Sequence, residues 1–385
     1  MTFLTPASVE DLACLLKEHA GNSRSIAIAG NSSKRLMAGP LGEPDFVLTT
    51  AGLDRVLAYE SADLTISVEA GARWADVQSI LAQQNQMIAL DPPFWPQATV
   101  GGVIASNGSG PLRCAFGTAR DVVIGMQFAT LGGKLIRVGG MVVKNVAGLD
   151  MGKLLIGSFG TLAVLTSVNL RLHARPAETE TFVFSFLDIE SAVARRNTLR
   201  AGPLRPLAVD ILSAAASARV GLRGFSLAIR AAGSPRVLAR YADELVGSTR
   251  LTGKEDASLW EEIREFPATF LARQPHGVIL CISTPISDLT ALLREIPGAF
   301  ISRAYSGVSY AFLSSFERVP AIWNLAADHG WQLVLEFAPE QIRASCKLWL
   351  PPASNNDNTF AMMKSVKQMF DPRLLLNHAR LYGRL

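Results

Sequence analysis

Residues 99–110 read TVGGVIASNGSG: four glycines, four Ser, Thr or Asn side chains and no charge. Such a stretch adds almost nothing to a hydrophobic core, but it lets the main chain approach another group closely, because glycine has no Cβ and tolerates positive φ. Backbone N–H groups aimed at one point by tight turns neutralise a phosphate, and Thr99, Ser106, Asn107 and Ser109 add side-chain donors. The chain is therefore constrained to a fold that presents small-residue loops to an anionic ligand. A second loop of this kind, AGNSSK at 29–34, follows the apolar run RSIAIA. In a third, Gly157, Ser158, Gly160 and Thr161 separate the apolar helix pattern LDMGKLLI from the strand pattern LAVLTSVNLRL. Taken singly, each loop is compatible with an ordinary surface turn. Two polar, uncharged loops that each leave a strand would grip a pyrophosphate from two sides.

The familiar nucleotide signatures are missing. No GxGxxG occurs, and none of the Gly-Lys pairs at Lys134, Lys153 or Lys254 is followed by Ser or Thr or preceded by P-loop spacing. No GxSxG elbow is present, which argues against a hydrolase.

At 385 residues the chain exceeds one comfortable core, so two domains are expected. A net charge of +4 from 37 basic and 33 acidic residues, without long runs of one sign, fits small anionic ligands and lacks the Lys/Arg stripe that a nucleic-acid partner calls for, so none is expected. Only 18% of residues are charged and the mean hydropathy is +0.24, an apolar excess that fits burial against a partner subunit. Cys14, Cys114, Cys281 and Cys346 form no CxxC pair, so neither an iron–sulfur or zinc cradle nor a disulfide framework is expected, and a reducing compartment suits them. The start, MTFLTPASVEDLACLLKEH, reads as a helix capped by Ser8 with Glu10 and Asp11 in its first turn, not as a signal peptide. The apolar stretch 154–170 is too short and too interrupted to span a membrane. The expected location is cytoplasmic, with membrane contact only through partners.

Along residues 1–175 short strands (RSIAIAG, DFVLTT, LTISVEAG) alternate with helices, and DVVIGMQFATLGGKLIRVG reads as a hairpin turning at Gly132 and Gly133. Residues 176–345 alternate strand patterns (TFVFSFL, FSLAIRA, GVILCIS, WQLVLEF) with helix patterns (DASLWEEIREF, ISDLTALLREI), and 346–385 combine a flexible Pro/Asn/Ser stretch, a short helix and a basic tail. The fold class is α+β, with boundaries at 175 and 345 and no internal repeat.

Together, AGNSSK, PQATVGGVIASNGSGPLRCAFGTARDVVIG and VAGLDMGKLLIGSFGTLAVLT give residues 1–175 a resemblance to the PCMH-type FAD-binding domain of the vanillyl-alcohol oxidase and para-cresol methylhydroxylase flavoproteins. Within that superfamily DPPFWPQATVGGVIASNGSGPLR, VVKNVAGLDMGKLL and FDPRLLLNHARLY most resemble the FAD-binding subunits of glycolate oxidase. The resemblance implies an FAD domain of two α+β subdomains at 1–175, a smaller α+β cap domain at 176–345, and a C-terminal segment, 346–385, that returns toward the FAD domain. It implies that Gly30, Asn31, Ser32 and Ser33 hold one side of the FAD pyrophosphate. Thr99, Val100, Gly101, Gly102, Ala105, Ser106 and Asn107 would hold the other side and the ribityl chain. Gly157, Ser158, Gly160, Thr161 and Val164 would line the adenine and ribose end. In the tail the family reads Asn-Pro-Gly-Arg where this chain has Asn377, His378, Ala379 and Arg380, so Asn377 and Arg380 alone carry over. Attachment is expected to be non-covalent, because Asn31 stands where covalent relatives carry His.

The implied activity is oxidation of a small 2-hydroxy acid, glycolate to glyoxylate, within a complex containing a larger catalytic FAD subunit and an iron–sulfur subunit that takes the electrons. Such chemistry needs a base, a cationic carboxylate clamp and a hydride acceptor. No catalytic residue is identified here. His19, His173, His276, His329 and His378 offer no local metal pair, His276 and His329 can pair only in space, and no metal is expected. Arg303 is a candidate clamp or an exposed strand-end residue, and Phe94, Trp95 and Trp349 are candidate pocket walls or core aromatics. Two other readings remain: a scaffold subunit that has lost its flavin, and a self-sufficient FAD oxidoreductase of the same fold.

Overall fold

The structure, a computed structural model, describes residues 2–141, 151–352 and 358–385. The motif segment VVKNVAGLD at 142–150 and most of the Pro/Asn/Ser stretch, 353–357, lie outside the described residues. The chain forms two compact units. One comprises Met1–Ser109, Gly117–Arg175 and Asn356–Leu385, and the other Gly110–Phe116 and Pro176–Asn355.

The first unit opens with the strand Thr2–Leu4 and the helix Val9–Gly21, where the Ser8 hydroxyl accepts the Asp11 N–H at 3.0 Å and Leu12, Leu16 and Ala20 form the buried face. Thr2–Leu4, Phe46–Thr49 and Ile26–Ala29 make a parallel sheet in that order. A second, antiparallel sheet runs Val56–Glu60, Thr65–Glu69, Val164–Arg171, Val123–Ala129, Leu135–Gly139. Its last two strands are the expected hairpin, with Gly133 at φ 75°. Ile66, Val68, Phe128, Val168 and Leu170 meet Trp74, Val77 and Leu81 of the helix Trp74–Ala82 in one core.

The opening motif departs from its expected form. Val100–Ala105 is an α-helix, not a loop, capped by Thr99, whose Oγ1 accepts the Gly102 N–H at 3.2 Å. Two helical glycines cost about 1 kcal/mol each relative to alanine, and tertiary packing offsets that cost. A Cβ on Gly101 would stand 2.8 Å from the Ala70 Cβ and 2.9 Å from the Ala70 carbonyl oxygen, so glycine is what lets this helix lie against the end of the strand Thr65–Glu69, with Val100, Val103 and Ile104 fully buried. The irregular chain resumes at Asn107, at φ 50°.

The C-terminal helix Asn358–Phe370 and the tail after it belong to this same unit. Lys367 and Asp371 are both fully buried, one helical turn apart. The Lys367 ammonium donates to Asp371 Oδ2 (2.7 Å), Thr161 O (2.7 Å) and Leu376 O (2.8 Å), while Asp371 accepts the N–H groups of Leu375 and Leu376. Thus all three ammonium hydrogens are satisfied, as a buried charge requires. Burial lowers the Lys367 pKa, and Asp371 opposes that fall. The tail then pairs with the parallel sheet: Ile26 N–H donates to Leu375 O, Asn377 N–H to Ile26 O, and the Asn377 carboxamide oxygen accepts the Ile28 N–H at 2.7 Å.

The second unit is built on a nine-stranded antiparallel sheet in the order Thr249–Thr252, Glu178–Phe186, Phe225–Gly233, Ala208–Leu212, Ala299–Arg303, Val308–Leu313, Val278–Ser283, Gln332–Phe337, Trp349–Leu350. Helices Ile189–Ala201, Leu289–Glu295 and Val319–Asp328 contribute to its core with Val209, Ile211, Leu280 and Phe300. The helix Lys254–Arg273 is fixed to the sheet by buried Asp256, which accepts from Thr179, Thr181 and Arg230, and by the Trp260 indole N–H to Thr181 Oγ1.

Two stability outcomes follow for the tail. Asp371→Leu strands a buried ammonium and should cost about 3–5 kcal/mol in urea unfolding, part of which the double variant Lys367→Met/Asp371→Leu recovers; a loss within experimental error would show that the pair is dispensable. Ala379 adopts φ 62°, a left-handed conformation costly for alanine, at the position where the resembling family has glycine. Ala379→Gly should therefore stabilise the chain by about 1 kcal/mol, whereas a stabilising Ala379→Val would contradict the strain.

Candidate functional site

The strand Ile26–Ala29 leads directly into a cavity of about 130 Å³ within the first unit. Its walls are Ile28–Arg35, Leu41, Thr99, Gly102, Ala105, Ser106, Phe159, Asn377 and Arg380. Three stretches separated widely in sequence therefore converge: the first small-residue loop, the capped glycine helix, and the tail.

Their close fit depends on Gly30. A Cβ there would lie 2.3 Å from Thr99 Oγ1, so only glycine lets the first loop touch the helix cap. Ser32 turns the loop at φ 55°, and the amides of Asn31, Ser32 and Ser33 have no protein acceptor among the described residues. These are the donors a bound anion would use. The helix amides are in a different state: Val100 N–H goes to Ala72 O, Gly101 N–H to Ala70 O, and Gly102 N–H to the Thr99 hydroxyl. Lys34 donates to Ser106 Oγ at 3.0 Å, and that hydroxyl donates onward to Gly102 O at 2.7 Å.

Arg380 faces inward, with its guanidinium bonded to the carbonyls of Lys34 (2.9 Å), Arg35 (3.2 Å) and Gly39 (2.7 Å). Asn377 uses both ends of its carboxamide, accepting from Ile28 and donating to Phe159 O. Both tail residues thus shape the cavity by holding backbone on either side of it.

Of the sequence-predicted residues, Gly30, Asn31, Ser32, Ser33, Thr99, Gly102, Ala105, Ser106, Asn377 and Arg380 line this one cavity. Val100 and Gly101 are buried behind it. Gly157 and Phe159 dock through N–H bonds to Ile104 O and Ala105 O, and Asn107 lies beside Gly157. Ser158, Gly160, Thr161 and Val164 are buried and line no part of this cavity. Thr161 donates to Ser158 O, Gly160 sits against the Asn377 carboxamide, and Val164 is packed in the core beside the parallel sheet. Phe159 and Lys34 were passed over in the sequence. Lys34 directly follows the small residues of AGNSSK, and its adjacency was the available signal.

The cavity suits a phosphate-bearing group. No carboxylate lines it, its donors are backbone amides, hydroxyls and cations, and its volume lies below the ~300 Å³ at which pockets engulf a whole ligand, so it fits one polar section of a longer molecule.

The other candidates resolve differently. Arg303 is not an exposed strand-end residue: it is buried and hydrogen-bonded to buried Asp210, directly opposite on the neighbouring strand. Burial pushes the Asp210 carboxyl up to about 6 against the opposing pull of Arg303. His329 stacks on Trp331, and Trp95 packs edge-on against Trp74. Burial raises the half-buried Cys114 thiol to about 11. Among the described residues no group of three His, Cys, Asp or Glu side chains is arranged to hold a metal, and no helix is long and apolar enough to cross a membrane.

Comparison with known proteins agrees with the cavity's chemistry. Residues 2–139 match the family model described as "FAD binding domain". The chain is 28% identical to glycolate oxidase subunit GlcE of Escherichia coli K12 over 94% of this chain and 93% of that one. It is 22% identical to glycolate oxidase subunit GlcD of Bacillus subtilis 168 over 89% and 80%. The fold is shared with an alkyldihydroxyacetonephosphate synthase (TM-score 0.73, 15% identity, 97% of this chain and 75% of that one) and with the 4-ethylphenol oxidase of Gulosibacter chungangensis (TM-score 0.72, 14% identity, 99% and 89%). Residues 2–139 thus match an FAD-binding domain, with FAD as the cofactor, and over nearly its whole length the chain shares the fold of these two solved structures.

Proposed function

We propose that the chain is the FAD-binding subunit of a multi-subunit glycolate oxidase that converts glycolate, or a closely related small 2-hydroxy acid, to the 2-oxo acid and passes the electrons to an iron–sulfur partner. The observation that carries this reading is the end-to-end correspondence with the Escherichia coli subunit GlcE, which spans nearly the whole of both chains.

In this reading residues 1–109 and 117–175 with the returning tail form the FAD domain, and 110–116 with 176–352, including the strand Trp349–Leu350 that the sequence put with the tail, form the cap. The amides of Asn31, Ser32 and Ser33 bind the FAD diphosphate, with Gly30 and Thr99 keeping the two walls in contact. Asn377 and Arg380 position the loop. Gly157, Ser158, Gly160, Thr161 and Val164 support the adenosine end from behind the cavity wall. Attachment is non-covalent: Asn31 offers an amide and no nucleophile at the position where covalent relatives carry His. Bound FAD supplies a two-electron acceptor for the hydride leaving the hydroxylated carbon. The larger catalytic FAD subunit and the iron–sulfur subunit complete the electron path, and any membrane contact is made through them from the cytoplasmic side.

A second reading, a self-sufficient 2-hydroxy acid oxidoreductase, draws support from the 27% identity over 54% of this chain to the D-lactate dehydrogenase [cytochrome] 1 of Saccharomyces cerevisiae. One experiment separates them. The chain, purified alone and with its partner subunits, is mixed anaerobically with glycolate while the flavin absorbance is recorded. The expected result is a yellow isolated chain that bleaches only in the complex. Bleaching of the isolated chain selects the second reading, and a colourless complex subunit rejects both.

A further inference from the structure

The first-turn amides of the helix Val100–Ala105 are already bonded within the protein, and the Arg380 guanidinium is bonded to three backbone carbonyls. The helix amides are therefore committed, and Arg380, whose charge the neutral carbonyls leave intact, faces backbone with three of its N–H bonds. The wall nevertheless carries Lys34, half-buried, with its ammonium on the Ser106 hydroxyl at 3.0 Å. Ser106 is itself fixed, donating to Gly102 O, so its oxygen lone pairs face the ammonium and set its direction. A Cβ on Gly108 would come within 3.1 Å of Lys34 Nζ, so the small residue after Asn107 leaves room for the lysine head. Arg35, the next cation, is exposed. Two of the sequence's small-residue loops thus meet at the lysine that closes the first of them.

We propose that Lys34 is the charge partner of the FAD diphosphate in this chain, with Ser106 as the residue that positions its ammonium. The inference rests on the FAD reading above and goes beyond it by assigning a direct charge contact with the cofactor to the lysine that closes AGNSSK. Backbone amides at 31–33 give the diphosphate its shape match, and Lys34 supplies the charge. A lysine suits this role, since its compact ammonium approaches as a point charge and needs no bidentate edge.

The test is FAD binding to the deflavinated full-length chain, followed by flavin fluorescence at low and high salt, for the wild type, Lys34→Met, Lys34→Arg and Ser106→Ala. Thermal midpoints of the unloaded proteins report folding. A charge-assisted contact predicts that Lys34→Met weakens FAD binding about 10- to 100-fold at low salt, with the gap to wild type narrowing as salt rises. Lys34→Arg should stay within a few-fold of wild type, and Ser106→Ala should fall between the two with unchanged salt dependence. Unaltered affinity in Lys34→Met, or a loss equal at all salt concentrations, overturns the proposal while leaving FAD binding intact. A wild-type chain that binds no FAD overturns the FAD reading and this inference together.

Discussion

A single buried ion pair fixes the tail on which the cofactor cavity depends. Lys367 and Asp371 lie out of water, where each charge alone would cost several kcal/mol, and the cost is offset only because every hydrogen and both carboxylate oxygens are bonded. The acceptors are not incidental. Thr161 O belongs to the third small-residue turn and Leu376 O to the tail, so the ammonium ties three pieces of chain at one point. One and four residues after Leu376, Asn377 and Arg380 reach Ile28, Phe159 and the carbonyls of residues 34, 35 and 39, which shape the cavity.

The glycines then act at specific close approaches. Gly30 admits Thr99, Gly101 admits Ala70, and Gly160 admits the Asn377 carboxamide, which a Cβ would meet at 2.7 Å. Each contact joins segments remote in sequence. The bare composition of the opening motif is therefore a packing requirement first, and donor supply is concentrated in the other loop, at Asn31–Ser33.

Much of this was legible in the sequence. The capped first helix, the strand before AGNSSK and the glycine hairpin follow from local chemistry, whereas the grouping of Gly30–Ser33 with Thr99, Ser106, Asn377 and Arg380 came from the family resemblance. What was not legible required tertiary context. A run with two adjacent glycines reads as loop because propensity disfavours helix, and only burial of Val100, Val103 and Ile104 reverses that. The strands Ala208–Leu212, Ala299–Arg303 and Val308–Leu313 are short apolar runs whose periodicity does not distinguish strand from buried helix. Arg303 was unreadable for a further reason: its partner Asp210 is 93 residues away and meets it only through strand register.

The central claim is that the Asn31–Lys34 loop and the returning tail grip one anionic section of FAD. Hydrogen–deuterium exchange of the full-length chain, with and without FAD, tests it most directly. Slowed exchange on FAD binding is expected at the amides of residues 31–33, with little change at residues 100–102, 377 and 380, whose amides are already bonded. Protection confined to residues 100–102, or absent from the 31–34 loop, would contradict it.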